Sequence, residues 1–242
     1  MPVNFEDADP VALARDFLAF QKELGVEVVP LASAATLHTD LPEEVSEPEP
    51  DPQPEIDTDP LAAFESVVIT CRGCTLCEAR NHVVFGSGNP TADVMFIGEA
   101  PGREEDLQGV PFVGAAGELL TKMITGIKLN REDVYIANVI KCRPPGNRDP
   151  QSDEIDSCEP HLMKQIELIQ PTVICTLGRF AAQTLLKSTT SMGRLRGKIY
   201  SYNGIKLIPT YHPAALLRNP QWKRPTWEDL KLLRYEYDGM EL

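Results

Sequence analysis

The chain has 242 residues, a formal net charge of −13 and six cysteines. That length suits one sizeable core plus an extension, and no stretch approaches the roughly 20 apolar residues of a membrane span. The N-terminus MPVNFEDADP has neither the basic nor the apolar region of a signal peptide, so a cytoplasmic protein is expected, with cysteines serving as thiols or metal ligands rather than disulfides.

The charge is unevenly placed. Residues 1–60 hold fifteen acids against Arg15 and Lys22, which leaves twenty-one acids and twenty-one bases in 61–242. The acidic pI therefore does not exclude a polyanionic partner for the larger part of the chain. In the N-terminal segment 1–35, Leu13, Phe17, Leu18 and Leu24 stand at helical spacing and predict a short amphipathic helix within 5–25. Residues 36–60 contain TDLPEEVSEPEPDPQPEIDTDP, too poor in apolar groups to offset chain entropy, and are expected to be a disordered linker. A spacer is the plain reading of this acidic tail; contact with an unknown partner is the sharper one.

The domain expected over 61–242 begins with CRGCTLCEAR. Cys71, Cys74 and Cys77 keep the C-x2-C-x2-C spacing that opens a bacterial ferredoxin run. The fourth cysteine of that run is missing, because Asn81 and then His82 stand in its place.

From there strand and helix patterns alternate. ADVMFIGEA, EDVYIANVIKC, PTVICTLG and IKLIPTYHP predict buried strands, and 115–126, 153–169, 179–187 and 226–236 have helical spacing. The alternation implies a three-layer α/β/α domain around a central four-stranded parallel sheet. Ligands in such folds bind beyond the carboxyl ends of the strands, where GEAPGREED, NVIKCRPP and HPAALLRNP fall.

Each of these strand ends carries candidate chemistry. Gly98 and Gly102 let the backbone turn sharply around Glu99, whose carboxylate could orient a water or face a developing cation; the plain alternative is a solvated turn. Phe112, between small residues in GVPFVGAAG, suits core packing or stacking on a planar ring. Asn138 ends an apolar strand, where a buried amide is costly unless paired. Its amide can match a carbonyl and an adjacent ring N–H together, the edge of uracil, whereas cytosine offers an amino donor and a bare nitrogen. His212 sits at the end of the last strand, where it could hydrogen-bond a leaving-group oxygen; the plain alternative is a structural histidine. Leu216, Leu217 and Arg218 make an apolar tip with a cation, either a wedge for a base stack or an ordinary helix start.

Two distant cysteines extend the thiol pattern. Cys142 follows the second strand, and Cys158 shares a helix face with Ile155, Leu162, Ile166 and Ile169, so it reads equally as a core thiol. With Cys71 and Cys74 these make four thiolates, which fit zinc and an iron–sulfur cluster alike.

Over about residues 65–235 the chain resembles the family 4 iron–sulfur uracil-DNA glycosylases. The resemblance rests on C-x2-C leading to VVFGSGNP, on GEAPGREEDLQGVPFVGAAG, NVIKCRPPGNRDP, LRGK and HPAALLRNP, and on Cys158 in its helix. It implies a uracil-DNA glycosylase-like fold and a [4Fe-4S] cluster on Cys71, Cys74, Cys142 and Cys158, structural in role, with Cys77 a bystander. It implies that Phe112 stacks on a flipped uracil, that Asn138 reads its edge, with Ala100 as a further substrate contact, and that His212 meets the oxygen that gains charge. Glu99 and Glu105 are the acids near sugar and water, with Glu104 and Asp106 competing for the place of Glu105. Leu216 and Leu217 fill the gap in the stack.

The implied activity is removal of uracil from single- or double-stranded DNA by a monomer that leaves an abasic site. No lysine nucleophile is implied. A related branch traps uracil through a histidine in a basic loop after the second strand; KCRPPGNRDPQSDE has none there. The competing functions are a non-catalytic iron–sulfur DNA-binding module and an electron carrier, neither of which needs a uracil pocket.

Overall fold

A computed structural model of the chain describes residues 59–239. The chain divides into two units, Met1–Glu55 and Ile56–Leu242, and the described residues belong to the second. The amphipathic helix expected within 5–25 and the linker expected over 36–60, apart from its last two residues, lie outside them.

Six strands form one sheet: β1 (Ser87–Gly88), β2 (Val94–Gly98), β3 (Tyr135–Asn138), β4 (Val173–Leu177), β5 (Tyr200–Tyr202) and β6 (Ile205–Thr210). Their order is β1-β3-β2-β4-β6-β5. The four expected strands make its parallel centre, β3-β2-β4-β6, with Gly98 opposite Asn138 and Cys175 opposite Ile208. The short β1 and β5 pair antiparallel at the two edges. β2, β3 and β4 are buried at every position, as expected of parallel strands covered on both faces.

Among the described residues eight α-helices surround the sheet: α1 (Pro60–Val68), α2 (Arg103–Gln108), α3 (Ala115–Gly126), α4 (Ser152–Ile169), α5 (Arg179–Leu186), α6 (Met192–Leu195), α7 (Pro213–Arg218) and α8 (Lys223–Asp238). The two-residue period of the strands divides their side chains between two cores. Met95 and Ile97 join Leu61 and Val68 of α1, Leu162 and Ile166 of α4 and Leu185 of α5. Val94 and Phe96 join Leu120 and Ile124 of α3, Leu216 of α7 and Leu230 and Leu233 of α8. The layering is thus α/β/α.

The local chemistry explains the element ends that bear on the site. Asp59 accepts the Leu61 N–H at 2.9 Å, and Pro60 takes the first helical position of α1, where its missing N–H costs nothing. α4 opens on a capping box, Gln151 with Glu154. On the opposite layer, Asp229 of α8 accepts from Arg196 and from Thr210 at the end of β6, tying that strand end to its covering helix.

Candidate active site and cysteine cavity

The chain leaves β2 toward β3 on one side and returns to β4 on the other, so the strand order reverses at β2. Such a reversal opens a crevice at the carboxyl ends of the strands. A cavity of about 360 Å³ lies there, and its lining includes Glu99, Ala100, Glu105, Phe112, Asn138, His212 and Arg218. Residues predicted separately from four stretches of sequence therefore meet in one place.

Asn138 is 1% exposed, and its Oδ1 is one of two buried side-chain polar atoms without a hydrogen-bond partner among the described residues. Satisfaction by local backbone, the plain reading of this residue, is not what the structure shows for that atom. Its main-chain carbonyl is held by the Lys141 ammonium at 2.8 Å, and Lys141 also donates to Gln165. The backbone at Asn138 is thus held from behind while the side-chain oxygen stays unpaired.

Phe112 is buried beside it in a left-handed conformation, φ 54°, uncommon for an aromatic residue and characteristic of functional sites. Its ring centroid is 5.5 Å from that of His212, at 31°. Two glycines make room. A Cβ on Gly98 would stand 2.3 Å from Asn138 Oδ1 and 2.6 Å from the Phe112 ring, and one on Gly117 would meet the Phe112 carbonyl oxygen at 1.8 Å.

His212 caps α7, its Nδ1 accepting the Ala214 N–H at 3.2 Å. Burial, with the Arg218 charge nearby, lowers its pKa to about 4 against a weaker pull from Glu105. The ring is therefore neutral near pH 7, and an accepting Nδ1 leaves the proton on Nε2 as a donor. Glu99 moves the other way: burial and then the Asp149 charge raise it to about 7, against Arg179.

Two sequence expectations change. Glu105 accepts the Val113 and Gly114 N–H groups at 3.0 and 3.1 Å, so it braces the Phe112 loop, and Glu99 is the acid with no such duty. Its rival Asp106 is buried and occupied by the backbone and side-chain N–H groups of Asn81. Leu216, expected in the wedge, is 1% exposed and packed in the α3/α8 core; Leu217 is 48% exposed, and Arg218 is also exposed. Of the three, Leu217 and Arg218 are the ones that face solvent. Pro144, Asn147, Arg148 and Asp149 also line the cavity, and none was singled out. The turn residues after NVIKC were the available signal, but a Pro/Gly turn does not say which side chains it aims.

Cys71, Cys74, Cys77, Cys142 and Cys158 line a second cavity, beside α1 and α4. Arg80 Nη1 and the Lys141 N–H reach Cys142 and Cys158 Sγ, each at 3.2 Å, and the Gly73 N–H reaches Cys71 Sγ at 3.4 Å. His161 Nε2 lies 3.3 Å from Cys71 Sγ. Burial pushes the Cys158 thiol up to about 11, against the pull of Lys141. No three His, Cys, Asp or Glu among the described residues are gathered closely enough for a single metal ion. A polynuclear cluster spreads its ligands around itself, and the shared cavity with donors aimed at sulfur suits that arrangement. Cys175 is buried in the opposite core. The signals missed here were Arg80 and His161, which charge and spacing alone do not tie to any thiol.

An unpaired amide oxygen and a buried aromatic ring thus line one cavity at the carboxyl ends of the strands. Comparison with known proteins supplies the family. The Uracil DNA glycosylase superfamily matches residues 85–231. The type-4 uracil-DNA glycosylase of Archaeoglobus fulgidus is 48% identical over 172 residues, covering 68% of this chain and 86% of that protein. That of Saccharolobus solfataricus is 48% identical over 185 residues (73% and 86%), and that of Sulfurisphaera tokodaii 46% identical over 185 (73% and 84%). The chain belongs to the uracil DNA glycosylase superfamily, in its type-4 family.

Proposed function

We propose that the protein hydrolyses the N-glycosidic bond of deoxyuridine in DNA, releasing uracil and leaving an abasic site. The observation that carries this reading is Asn138, a buried amide whose unpaired Oδ1 shares the cavity with the Phe112 ring. Oδ1 accepts from uracil N3–H while Nδ2 donates to O4. Cytosine, with a bare N3 and an amino group, mispairs at both atoms, and a site built on such bonds rejects the wrong edge strongly.

As the N1–C1′ bond breaks, its electron pair passes to uracil and the sugar becomes cationic. Neutral His212 donates through Nε2 to the uracil oxygen that gains charge. Donors already in place at developing charge cost no reorganisation. Ionised Glu99 faces the cation and takes a proton from the water that adds to C1′. Phe112, held by Glu105, stacks on the ring, and Leu217 with Arg218 fills the vacated stack and meets phosphate. Extruding the base costs a few kcal/mol, least in single strands and mismatches.

Cys71, Cys74, Cys142 and Cys158 would hold a [4Fe-4S] cluster, which when bound supplies a covalent tie between the 71–74 segment, the end of β3 and α4. The four sulfurs share one cavity, and three of them receive hydrogen bonds from Gly73, Arg80 and Lys141, the outer-sphere support that metal-bound sulfur requires. The cluster has no part in bond cleavage.

Single-turnover incubation with oligonucleotides carrying uracil, cytosine or thymine at one position tests the activity. Free uracil from the first alone is expected. Tight binding of uracil-DNA without release would instead make the protein a binding module.

A further inference from the structure

Around α7 from the uracil cavity, a second cleft of about 290 Å³ lies between α3 and α8, lined by Leu119, Lys122, Met123, Leu216, Lys223 and Trp227 among others. Its outer wall is the Trp227 indole, 41% exposed. The indole is not loose: it lies against Gly126, where an added Cβ would meet its ring at 3.0 Å. A large aromatic face held in place and left open to solvent is a stacking platform whose ordering cost is already met.

The charge around it points to the occupant. Lys122, Arg218, Lys223 and Arg224 are exposed, and none of them forms an ion pair among the described residues. Glu228, next to Trp227, is paired with Lys231. Lys122 and Lys223 line the cleft itself, and Arg218 and Arg224 lie within two residues of its lining residues Leu216 and Lys223; unpaired cations beside one exposed indole suit a polyanion. The cleft is also continuous with the tip: Leu216 forms part of its wall, and Leu217 and Arg218 follow directly on α7.

We propose that this cleft is a second nucleotide subsite, in which an unstacked base of the bound DNA, away from the target uracil, stacks on Trp227 while Lys122 and Lys223 meet the flanking phosphates. Alternating cations and an aromatic face are the means by which single strands are held without sequence preference. The subsite rests on the glycosylase reading only in taking DNA as the ligand. It gives single-stranded or locally opened DNA a grip that a closed duplex does not receive.

The chain has two tryptophans, and Trp222 stacks on Tyr211 with ring centroids 4.6 Å apart, so Trp222→Phe, which keeps a ring there, leaves Trp227 as the sole tryptophan reporter. Titration of that full-length variant with a uracil-free single-stranded decanucleotide is expected to quench its fluorescence saturably, whereas inorganic phosphate is not. Trp227→Ala is expected to weaken decanucleotide binding about 5- to 150-fold, and Trp227→Phe to restore most of it. In excision assays Trp227→Ala raises KM for a long single-stranded substrate, leaves kcat unchanged, and leaves a deoxyuridine trinucleotide unaffected. An indole silent to DNA in a protein that still releases uracil would overturn the subsite, as would equal losses on long and trinucleotide substrates. Quenching in a protein that releases no uracil would support the subsite while the glycosylase reading fails.

Discussion

Glu99 and His212 share one cavity, and burial moves them apart: it disfavours the charged form of each, so the acid rises to about 7 and the imidazole falls to about 4. Between pH 5 and 8 His212 stays neutral, so a limb near pH 7 belongs to Glu99. Because the ionised form acts on the cation and water, the excision rate is expected to rise with pH and level off above about 7. Glu99→Gln should abolish that limb and lower kcat by about 10²- to 10⁴-fold; a variant that retains the limb would show that another group titrates. The sign for stability is opposite to that for activity. Since the folded pKa lies above the ordinary value of 4.5, stability falls as pH rises from 4.5 through about 7, and chemical denaturation of Glu99→Gln should show less of that fall. Glu99, Phe112, Asn138 and His212 were legible as individual residues because each breaks a local rule at a strand end or loop. The duties of Glu105 and Leu216 were not, since four consecutive charged residues, or two consecutive leucines, do not reveal which one faces inward.

At the scale of elements, long apolar runs made β2, β3, β4 and β6 readable, and the 3.6-residue pattern placed α3, α4, α5 and α8 to within a few residues. What escaped were pieces too short to carry a period: β1 is two residues, β5 three and α6 four. α1 carried Asp59 and Pro60 as start signals, masked by the acidic, proline-rich run before it. A close inter-element fit that bears on the cavity lies where β2 ends. Gly98→Ala places a methyl into both the Asn138 amide and the Phe112 ring, so it is expected to cost about 1–3 kcal/mol by overpacking and to reduce excision more than stability. Equal activity in a folded Gly98→Ala protein, judged by thermal unfolding and single-turnover rates together, would mean that the amide and ring are not held as described.

For the molecule as a whole, the sheet joins the two cavities: its carboxyl edge carries the one lined by Asn138, and the strand that ends in Asn138 continues through Lys141 to Cys142, which lines the other. Lys141 contacts both sides, with its ammonium on the Asn138 carbonyl and its backbone N–H on Cys158 Sγ. Cys142→Ser is therefore expected to lower the iron content below four per chain, to lower Tm, and to reduce uracil release through loss of order at Asn138; metal analysis on anaerobically prepared protein checks the first. Zinc in place of iron with normal release would leave the enzyme and overturn the cofactor. That these cysteines share a site could be guessed from the sequence but not proven by it, because the 67 residues between Cys74 and Cys142 are closed into a loop only by the fold. The most direct test of the central claim is uracil release under single turnover by wild type and Asn138→Ala, with the fold of both checked by thermal unfolding. The account predicts excision by wild type and a loss of about 10²-fold or more in the variant; an equally active, folded Asn138→Ala protein would contradict it.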